Sequence, residues 1–207
     1  MANIAQNTYL FYGDKAELVK CHEELNKLYE NDFNTASCET EQLAKNVVIH
    51  GEWIEGIESL RKNDDAFRMI TTSKWYGNPV YWDNWVKDNF PKLSVAFMCE
   101  EPGVGIFQMV DPDNKFDKYI YIHGSDIPDE DIAKLPQVLK VVIDEGSIWG
   151  TFSKDAVFNS EFQPSDLPDS IKYEEYTNTT YDEIRASDEA YLAKWPAIEK
   201  QIKMRIK

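Results

Sequence analysis

Apolar residues recur at two spacings along the chain, and the two spacings predict strands and helices in alternation. Residues 7–12 read N-T-Y-L-F-Y and are followed by Gly13, which is typical of a strand and its end. Asp14 and Glu17 then form a capping-box pattern, in which both side chains accept hydrogen bonds from free backbone N–H groups of a new helix. The helix is predicted to bury one face, formed by Leu18, Cys21, Leu25, Leu28 and Tyr29.

After a polar stretch over residues 31–42, the apolar run at 47–49 predicts a second strand. Residues 51–62 are predicted to form a helix, because apolar side chains recur there at helical spacing. Gly56 lies in the middle of this segment and weakens its helix propensity. The side chains expected to face inward are Trp53, Ile54, Ile57 and Leu60.

The segment from Arg68 to Met109 carries the clearest pattern. Residues 68–73 predict a strand, and Asn78-Pro79 predicts the start of a helix, since Asn is a good N-cap and Pro suits the first helical position. Residues 93–99 and 104–110 predict two further strands, joined by the turn Glu100-Glu101-Pro102-Gly103. The predicted helix between residues 79 and 90 has one apolar stripe, formed by Trp82, Trp85, Val86 and Phe90.

Beyond Met109 the pattern is less regular. Residues 118–123 predict a strand, and a helix is predicted after Pro128. Residues 137–145 predict another helix, which ends at Gly146. Its inward side chains are expected to be Leu139, Val142 and Ile143. Residues 148–158 are read as either a strand or irregular chain, and 159–180 as a linker or surface excursion. A final helix is predicted from Ile184, Tyr191, Trp195, Ile198 and Ile202, with Pro196 as a kink or restart.

The predicted order is strand-helix-strand, a variable insert, then strand-helix-strand-strand. This order agrees with an α+β fold, a ferredoxin-like βαβ-βαβ sandwich with an additional β-hairpin and C-terminal helices. We expect residues 1–125 to form the ferredoxin-like domain. Residues 126–207 are expected to form a helical or irregular extension that packs on that domain or contacts a partner.

Three short segments resemble the ferredoxin-like domain of the Api92-like family, a group of uncharacterised proteins from phages and mobile elements. They are K-W-x-x-x-P at 74–79, N-F-P-K-L-S-V-A-F at 89–97 and E-E-P-G-V-G-I-F at 100–107. The resemblance covers about residues 68–109. It implies a ferredoxin-like sandwich, and it carries over no catalytic residue because no activity is agreed for the family.

Charge and composition narrow the classes of function. The net charge is −15, and residues 111–189 alone carry 7 basic and 19 acidic side chains, whereas residues 190–207 carry 5 basic and 1 acidic. A negative field repels nucleic-acid phosphates and anionic lipid. The acidic side chains therefore serve solubility or attract a basic partner, and direct nucleic-acid binding is not expected.

Nothing in the chain predicts a membrane span or a secretory signal, since no apolar run approaches 18 residues. The cysteines Cys21, Cys38 and Cys99 are odd in number and far apart, which suits a reducing cytoplasm. We therefore expect a cytoplasmic protein. Its final helix is expected to dock on its own chain, with docking on a partner or on a second copy as a homodimer left as alternatives.

Three tryptophans, Trp75, Trp82 and Trp85, lie within eleven residues. They are read as rings that pack a helix on a sheet, and the alternative is a stacking platform for a base or a sugar. Stacking on single strands normally requires a positive groove, and only four basic residues accompany these rings. The packing interpretation is therefore preferred.

Candidate chemistry is sparse. The histidines His22, His50 and His123 lie outside metal-ligand spacing of one another and of any cysteine. The carboxylates Asp111, Asp113 and Asp117 lack the Gly and the final carboxylate that a calcium loop needs. Gly103-Val104-Gly105 leads into a strand, so it does not form a phosphate loop. We therefore predict no metal, no cofactor and no catalytic residue.

Three hypotheses of function remain. The first is a non-enzymatic accessory or protein-interaction protein of the phage and mobile-element type, with a basic protein partner. The second is an acidic mimic of DNA that occupies the basic groove of a host nucleic-acid-binding defence enzyme. The third is an enzyme whose site is assembled from scattered residues, for which two of His22, His50, His123 and Glu100 would have to share a pocket.

Overall fold

The computed structural model describes residues 4–33, 52–74, 76–116 and 118–190. They form two compact units. The first unit comprises the described residues up to Pro112 and from Asn178 onward, and the second comprises the described residues from Asp113 to Thr177. The fold is α+β, as the sequence predicts, because helices and two sheets are both present.

The elements follow one another along the chain. In order they are β1 (Ile4–Gly13), α1 (Lys15–Phe33), β2 (Glu52–Ile57), β3 (Ala66–Lys74), α2 (Pro79–Asn89), β4 (Leu93–Glu101), β5 (Ile106–Val110), β6 (Tyr119–Gly124), α3 (Asp129–Ile132), α4 (Gln137–Lys140), β7 (Ile148–Ser153), α5 (Lys154–Val157), β8 (Ile171–Glu175), β9 (Thr177–Asn178) and α6 (181–190).

The larger sheet has the strand order β2-β3-β1-β4-β5-β9. Strand β1 is central and pairs antiparallel with β3 on one side and β4 on the other, with Tyr9 opposite both Met69 and Phe97. Alternate residues of β1, β3 and β4 point to the same face, because side chains in a strand alternate. That face carries Tyr9, Phe11, Phe67, Met69, Val95 and Phe97, all buried in one core.

Helices α1, α2 and α6 cover this face of the sheet. Their contributions to the core include Leu18 and Leu25 of α1, Trp82 and Val86 of α2, and Ile184 of α6. The Tyr181 hydroxyl group donates a hydrogen bond of 2.7 Å to the Val95 carbonyl oxygen, which ties the start of α6 to β4. The described part of the final helix therefore packs on its own chain.

The second unit contains a three-stranded antiparallel sheet in the order β7-β6-β8. Ile120 and Ile122 of β6 and Ile148 of β7 lie on one face, in a core shared with Leu135 and Leu139. The opposite face carries His123, with Trp149 directly across on β7 and Lys172 directly across on β8. Within the described chain, no helix has the length and apolar character needed to cross a membrane.

Several predicted elements are confirmed with small changes in their bounds: β1, α1, β3, α2, the β4–β5 hairpin, β6 and the start of α3. The predicted strand at 47–49 lies outside the described residues. The helix predicted over 51–62 is wrong, because this segment forms β2 and pairs with β3 through a register shift between Ile54 and Gly56. Glu52 is buried on the core side of β2, where a strand pattern would have an apolar residue. The alternation of apolar and polar residues that indicates a strand is therefore missing from the sequence.

Two predictions in the second half are corrected. The helix predicted over 137–145 ends at Lys140, and Val142, expected inward, is exposed. The segment 159–180, expected to be a linker or surface excursion, contains a 3-10 turn (Pro164–Asp166) and strand β8, with Phe162 and Ile171 buried. The two compact units also divide the chain at Pro112 and Asn178, whereas the predicted division lay between residues 125 and 126.

Candidate functional site

The second unit exposes three large apolar side chains within nine residues. Trp149 is 77% exposed, Val141 is 67% exposed and Val142 is 43% exposed. A tryptophan side chain seldom remains so accessible in a folded protein, since its large ring gains much from burial. These three residues form the apolar part of a candidate binding surface.

A tight turn at Asp144 to Ser147 positions this surface. Asp144 and Ser147 exchange two backbone hydrogen bonds of 3.0 and 2.8 Å, so the chain reverses over the two residues between them. Glu145 and Gly146 both have positive φ values, 46° and 73°, as in a type I′ hairpin turn. Val142 and Trp149 leave the turn on its two arms at equal distances along the chain.

Exposed carboxylates surround the turn. The Ile127 backbone N–H group donates a 2.9 Å hydrogen bond to the Gly146 carbonyl oxygen, and this bond brings the segment 126–130 against the turn. We define the Trp149 patch by its three apolar residues together with five exposed acidic residues: Asp126, Asp129, Glu130, Asp144 and Glu145.

Two lysines close to the patch in sequence are engaged with groups outside it. Lys134 forms a 2.8 Å ion pair with Asp131, which is outside the patch, and the Lys140 ammonium group donates to the Ala133 carbonyl oxygen at 2.7 Å. Residues 113–177 contain 6 lysines and 14 acidic residues, a net charge of −8. The Trp149 patch is therefore an apolar centre with a mainly negative rim, and Lys172 lies on the same face of the sheet, across His123 from Trp149.

Such a surface has a definite chemical preference. The face of an indole ring attracts ammonium and guanidinium groups, and a carboxylate rim strengthens that attraction. Tryptophan and arginine are also the residues most often found at the energetic centre of protein interfaces. The patch is thus suited to a segment that carries lysine or arginine side chains.

The predicted tryptophan cluster lies in the core where it is described. Trp82 is fully buried, and Trp85 is half-buried with its ring edge-on to Trp82 at 5.7 Å between centroids. Phe90 is also buried, 5.2 Å from Trp85. The packing interpretation is confirmed for these three rings, and Trp75 lies outside the described residues.

The residues considered for a dispersed catalytic site do not meet within the described first unit. His22 lies over the helix side of the sheet, 3.0 Å from the Glu58 carbonyl oxygen and edge-on to Phe67. Glu100 follows the inward-facing Cys99 on β4, so it points to the other side of the sheet. His123 is exposed on the second unit, and His50 lies outside the described residues.

Other candidate groups are accounted for by the fold. Glu101, rather than Glu100, is the buried member of the acidic pair, and its carboxylate accepts a 2.6 Å hydrogen bond from Val104 in the β4–β5 turn. Burial raises the pKa of the Cys21 and Cys99 thiols to about 12, so neither is a ready nucleophile at neutral pH. Among the described residues, no group of histidine, cysteine and acidic side chains could hold a metal ion.

Glu52 is a buried carboxylate that sequence reasoning missed. Its side chain is 1% exposed at the core end of β2, beneath the start of α2. The hydroxyl groups of Tyr9 and Thr71 donate to its Oε1 atom at 2.7 and 2.5 Å. Its Oε2 atom accepts from the Asn78 side chain at 3.0 Å and from the Trp82 indole at 3.3 Å.

This hydrogen-bonded cluster explains an unexpected detail of α2. Asn78 occupies the predicted N-cap position, yet its side chain makes no cap hydrogen bond and donates to Glu52 instead. Burial raises the pKa of Glu52 above its ordinary value, although its four hydrogen-bonding neighbours oppose that shift. The cluster ties β1, β2, β3 and α2 together, and we interpret it as part of the fold.

Comparison with protein-family models, with curated proteins and with solved structures gives no significant match to this chain. The surfaces and clusters described above are therefore the basis for inferring its function.

Proposed function

We propose that this protein is a non-enzymatic accessory protein that binds a basic protein partner through the Trp149 patch. The observation that carries the proposal is the exposed Trp149 ring beside a turn rimmed by carboxylates. An exposed tryptophan supplies apolar contact area at a small entropic cost, and the rim selects positively charged partners. The occupant is a segment rich in lysine or arginine.

Electrostatics should govern how fast the partner associates, and the aromatic centre should govern how long it stays. Complementary charge raises association rates and is screened by salt over about 10 Å at 0.1 M ionic strength. Burial of an aromatic anchor mainly lowers the dissociation rate. The two contributions can therefore be separated by mutation and by salt.

The test is a titration of the full-length protein with a fluorescently labelled nona-arginine peptide, followed by anisotropy at low and physiological salt. We expect Trp149→Ala to weaken binding by about tenfold, as an interface hot spot does. The double variant Asp144→Asn/Glu145→Gln should weaken binding at low salt and flatten its salt dependence.

The matched control is Asp155→Asn/Glu161→Gln, which removes two exposed charges from the same unit that are not part of the patch. It should bind like the parent apart from a small general effect of net charge. Equal losses in the two double variants, together with no effect of Trp149→Ala, would overturn the proposal and favour an acidic mimic of DNA. Absence of peptide binding at low salt would overturn both.

We also propose a ferredoxin-like topology for the first unit. The support is the strand order β2-β3-β1-β4, antiparallel throughout, with α1 and α2 both contributing to the core on one face. In this proposal β5, β9 and α6 are additions at the β4 edge. A cytoplasmic location is part of the same proposal, because Cys21 and Cys99 are free thiols.

A further inference from the structure

A cleft of about 330 Å³ lies in the first unit between β5 and α6. Tyr76, Ile106 and Gln108 line one side, and Ile184, Ser187 and Asp188 of α6 line the other. Its volume is at the lower end of the range found for small-molecule sites, about 300–1,000 Å³. The cleft is separate from the buried Glu52 cluster and from the residues of the Trp149 patch.

The charge of the cleft is one-sided. Among the described residues that line it none is basic, whereas Glu183 and Asp188 both carry carboxylates. Arg185, on the same helix, is paired with Asp182 at 2.7 Å. A cation that entered the cleft would therefore meet two acidic groups and no repelling charge from its lining.

The two carboxylates differ in their local roles. Glu183 completes a capping box at the start of α6, in which its Oε2 atom accepts from the Thr180 backbone N–H group at 2.9 Å and the Thr180 hydroxyl accepts from the Glu183 N–H group at 3.2 Å. Asp188 lies five residues further along and is half-buried in the cleft wall. Partial burial raises the pKa of Asp188, so its charge is poorly solvated.

Tyr76 brings an aromatic wall close to Asp188. Its ring packs edge-on against the buried Phe97 at 5.6 Å between centroids. The phenol is uncharged at neutral pH, and burial, with smaller contributions from Cys99 and Asp188, raises the pKa of its hydroxyl further. An ammonium group near Asp188 would thus lie close to an aromatic ring as well as to a carboxylate.

We propose that this cleft binds a small organic diammonium ion, with Asp188 as its principal counter-ion. Ile106 and Ile184 contact the methylene chain, and the Gln108 and Ser187 side-chain oxygens accept further N–H hydrogen bonds. Residues 183 and 188 of a helix are offset by about 7.5 Å along its axis and by about 140° around it, and both line the cleft. An aliphatic diamine of four or five carbons can therefore contact Asp188 with one ammonium group and extend the other toward Glu183.

The test uses isothermal titration calorimetry of the full-length protein with putrescine and cadaverine. The uncharged analogue 1,4-butanediol has the same carbon chain as putrescine and is the ligand control. We expect the diamines to bind and the diol to give no signal. Asp188→Asn should weaken diamine binding by about tenfold or more, since it removes a charge-assisted hydrogen bond.

The matched protein control is Glu189→Gln, because Glu189 is exposed, adjacent to Asp188 and outside the cleft lining. It should leave diamine affinity within about twofold of the parent, a change too small to reflect a lost contact. Equal losses for the two variants would overturn the proposal, as would binding of the diol with the affinity of putrescine.

A second variant tests the site in case Asp188→Asn does not fold. Ser187→Lys introduces an ammonium group at the cleft wall, and we expect it to abolish diamine binding while circular dichroism confirms the fold. Retained binding in a folded Ser187→Lys variant would contradict the site. Trp149→Ala should leave diamine binding unchanged, so failure of the Trp149 patch and failure of this cleft are distinguishable.

Discussion

At the scale of single residues, Glu145 combines an unfavourable backbone conformation with a place in the Trp149 patch. Its φ of 46° lies in the left-handed region, which asparagine and glycine tolerate and glutamate seldom adopts. Backbone strain of this kind persists where the surrounding structure enforces it, and it is frequent at functional sites. The glutamate therefore costs stability at a position where its charge belongs to the proposed interface.

We expect Glu145→Asn to raise the free energy of unfolding by roughly 0.5–1 kcal/mol and to weaken binding of the arginine peptide. Urea unfolding and the anisotropy titration measure the two effects. Glu161→Asn makes the same chemical change at an exposed residue whose φ is not positive. A similar gain in stability at both positions would show that backbone conformation at Glu145 is not its source.

Glu52 gives a prediction about pH. Its pKa is raised in the folded protein, so between the unfolded and folded pKa values the native state binds more protons than the unfolded chain. The contribution of Glu52 to stability is therefore fully present below its ordinary pKa of 4.5 and is lost as the pH rises through the folded value. Glu52→Gln should remove this component of the pH profile.

The measurement is the free energy of unfolding from urea titrations between about pH 4 and pH 8 for parent and variant. The difference between them should shift in favour of Glu52→Gln as the pH rises. Glu55→Gln makes the same change on the exposed side of β2 and is the matched control. Loss of the same slope in both variants would contradict the assignment to Glu52.

At the scale of elements, the entry into α2 depends on close approach at Gly77. A Cβ atom at this position would lie 2.7 Å from both the Asn7 Oδ1 atom and the Tyr9 hydroxyl oxygen, which are buried polar groups. We expect Gly77→Ala to lower the free energy of unfolding by about 1–3 kcal/mol, as overpacking does. Thermal or urea unfolding is the measurement.

Gly56→Ala is the matched control for this prediction. A Cβ atom there meets no heavy atom within 4 Å, and the residue lies at the register shift of β2. Its effect should remain within about 0.5 kcal/mol. Equal destabilisation by the two substitutions would rule out crowding at Gly77 as the cause.

Helices and strands could be predicted where the local sequence pattern favours the same conformation as the packing in the folded protein. The Asn78-Pro79 start and the apolar stripe predict α2, and the structure confirms this helix over Pro79–Asn89. The capping box predicted at Asp14 and Glu17 is confirmed for Asp14 and wrong for Glu17. Asp14 accepts from Ala16 and Glu17, whereas the Glu17 carboxylate accepts from the backbone of Lys92 in a distant turn.

Elements were missed where tertiary contacts override the local pattern. Strand β2 has a glutamate on its core side because four neighbours hydrogen-bond that carboxylate, and none of them is adjacent in sequence. Strand β8 is only five residues long and lies in a largely polar segment. Its strand conformation therefore depends on pairing with β6. Such partners cannot be read from spacing alone.

The candidate sites were less predictable than the fold. The concentration of acidic residues in the later part of the chain was apparent from the sequence, and it left solubility and attraction of a basic partner as alternatives. The exposure of Trp149 could not be predicted from the sequence. A tryptophan in a strand is usually assigned to the core, and the sequence does not show which face of the sheet other elements cover. The Thr180-x-x-Glu183 capping pattern was a usable signal for the start of α6.

At the scale of the whole molecule, the second unit begins and ends at neighbouring points of the first. The Thr179 backbone N–H group donates a 2.8 Å hydrogen bond to the Met109 carbonyl oxygen, so the segments that flank residues 113–177 leave and return close together. A short linker can therefore span the gap without disturbing the larger sheet.

We expect a variant in which Gly and Ser residues replace 113–177 to remain folded, with cooperative thermal unfolding and the near-ultraviolet circular dichroism of buried Trp82. Removal of that segment, with its 6 basic and 14 acidic side chains, changes the net charge from −15 to −7. Binding of the arginine peptide should be lost. A non-cooperative transition would contradict the division into units, and retained binding would contradict the location of the interface.

This arrangement has a consequence for the order of events on the ribosome. The second unit is contiguous, and its sequence is complete once Thr177 has emerged. The first unit, although it starts earlier, still lacks Tyr181 and Ile184, which cover part of its core. Because domains generally fold as units during synthesis, we expect the second unit to be able to fold a few residues before the first unit can complete its core.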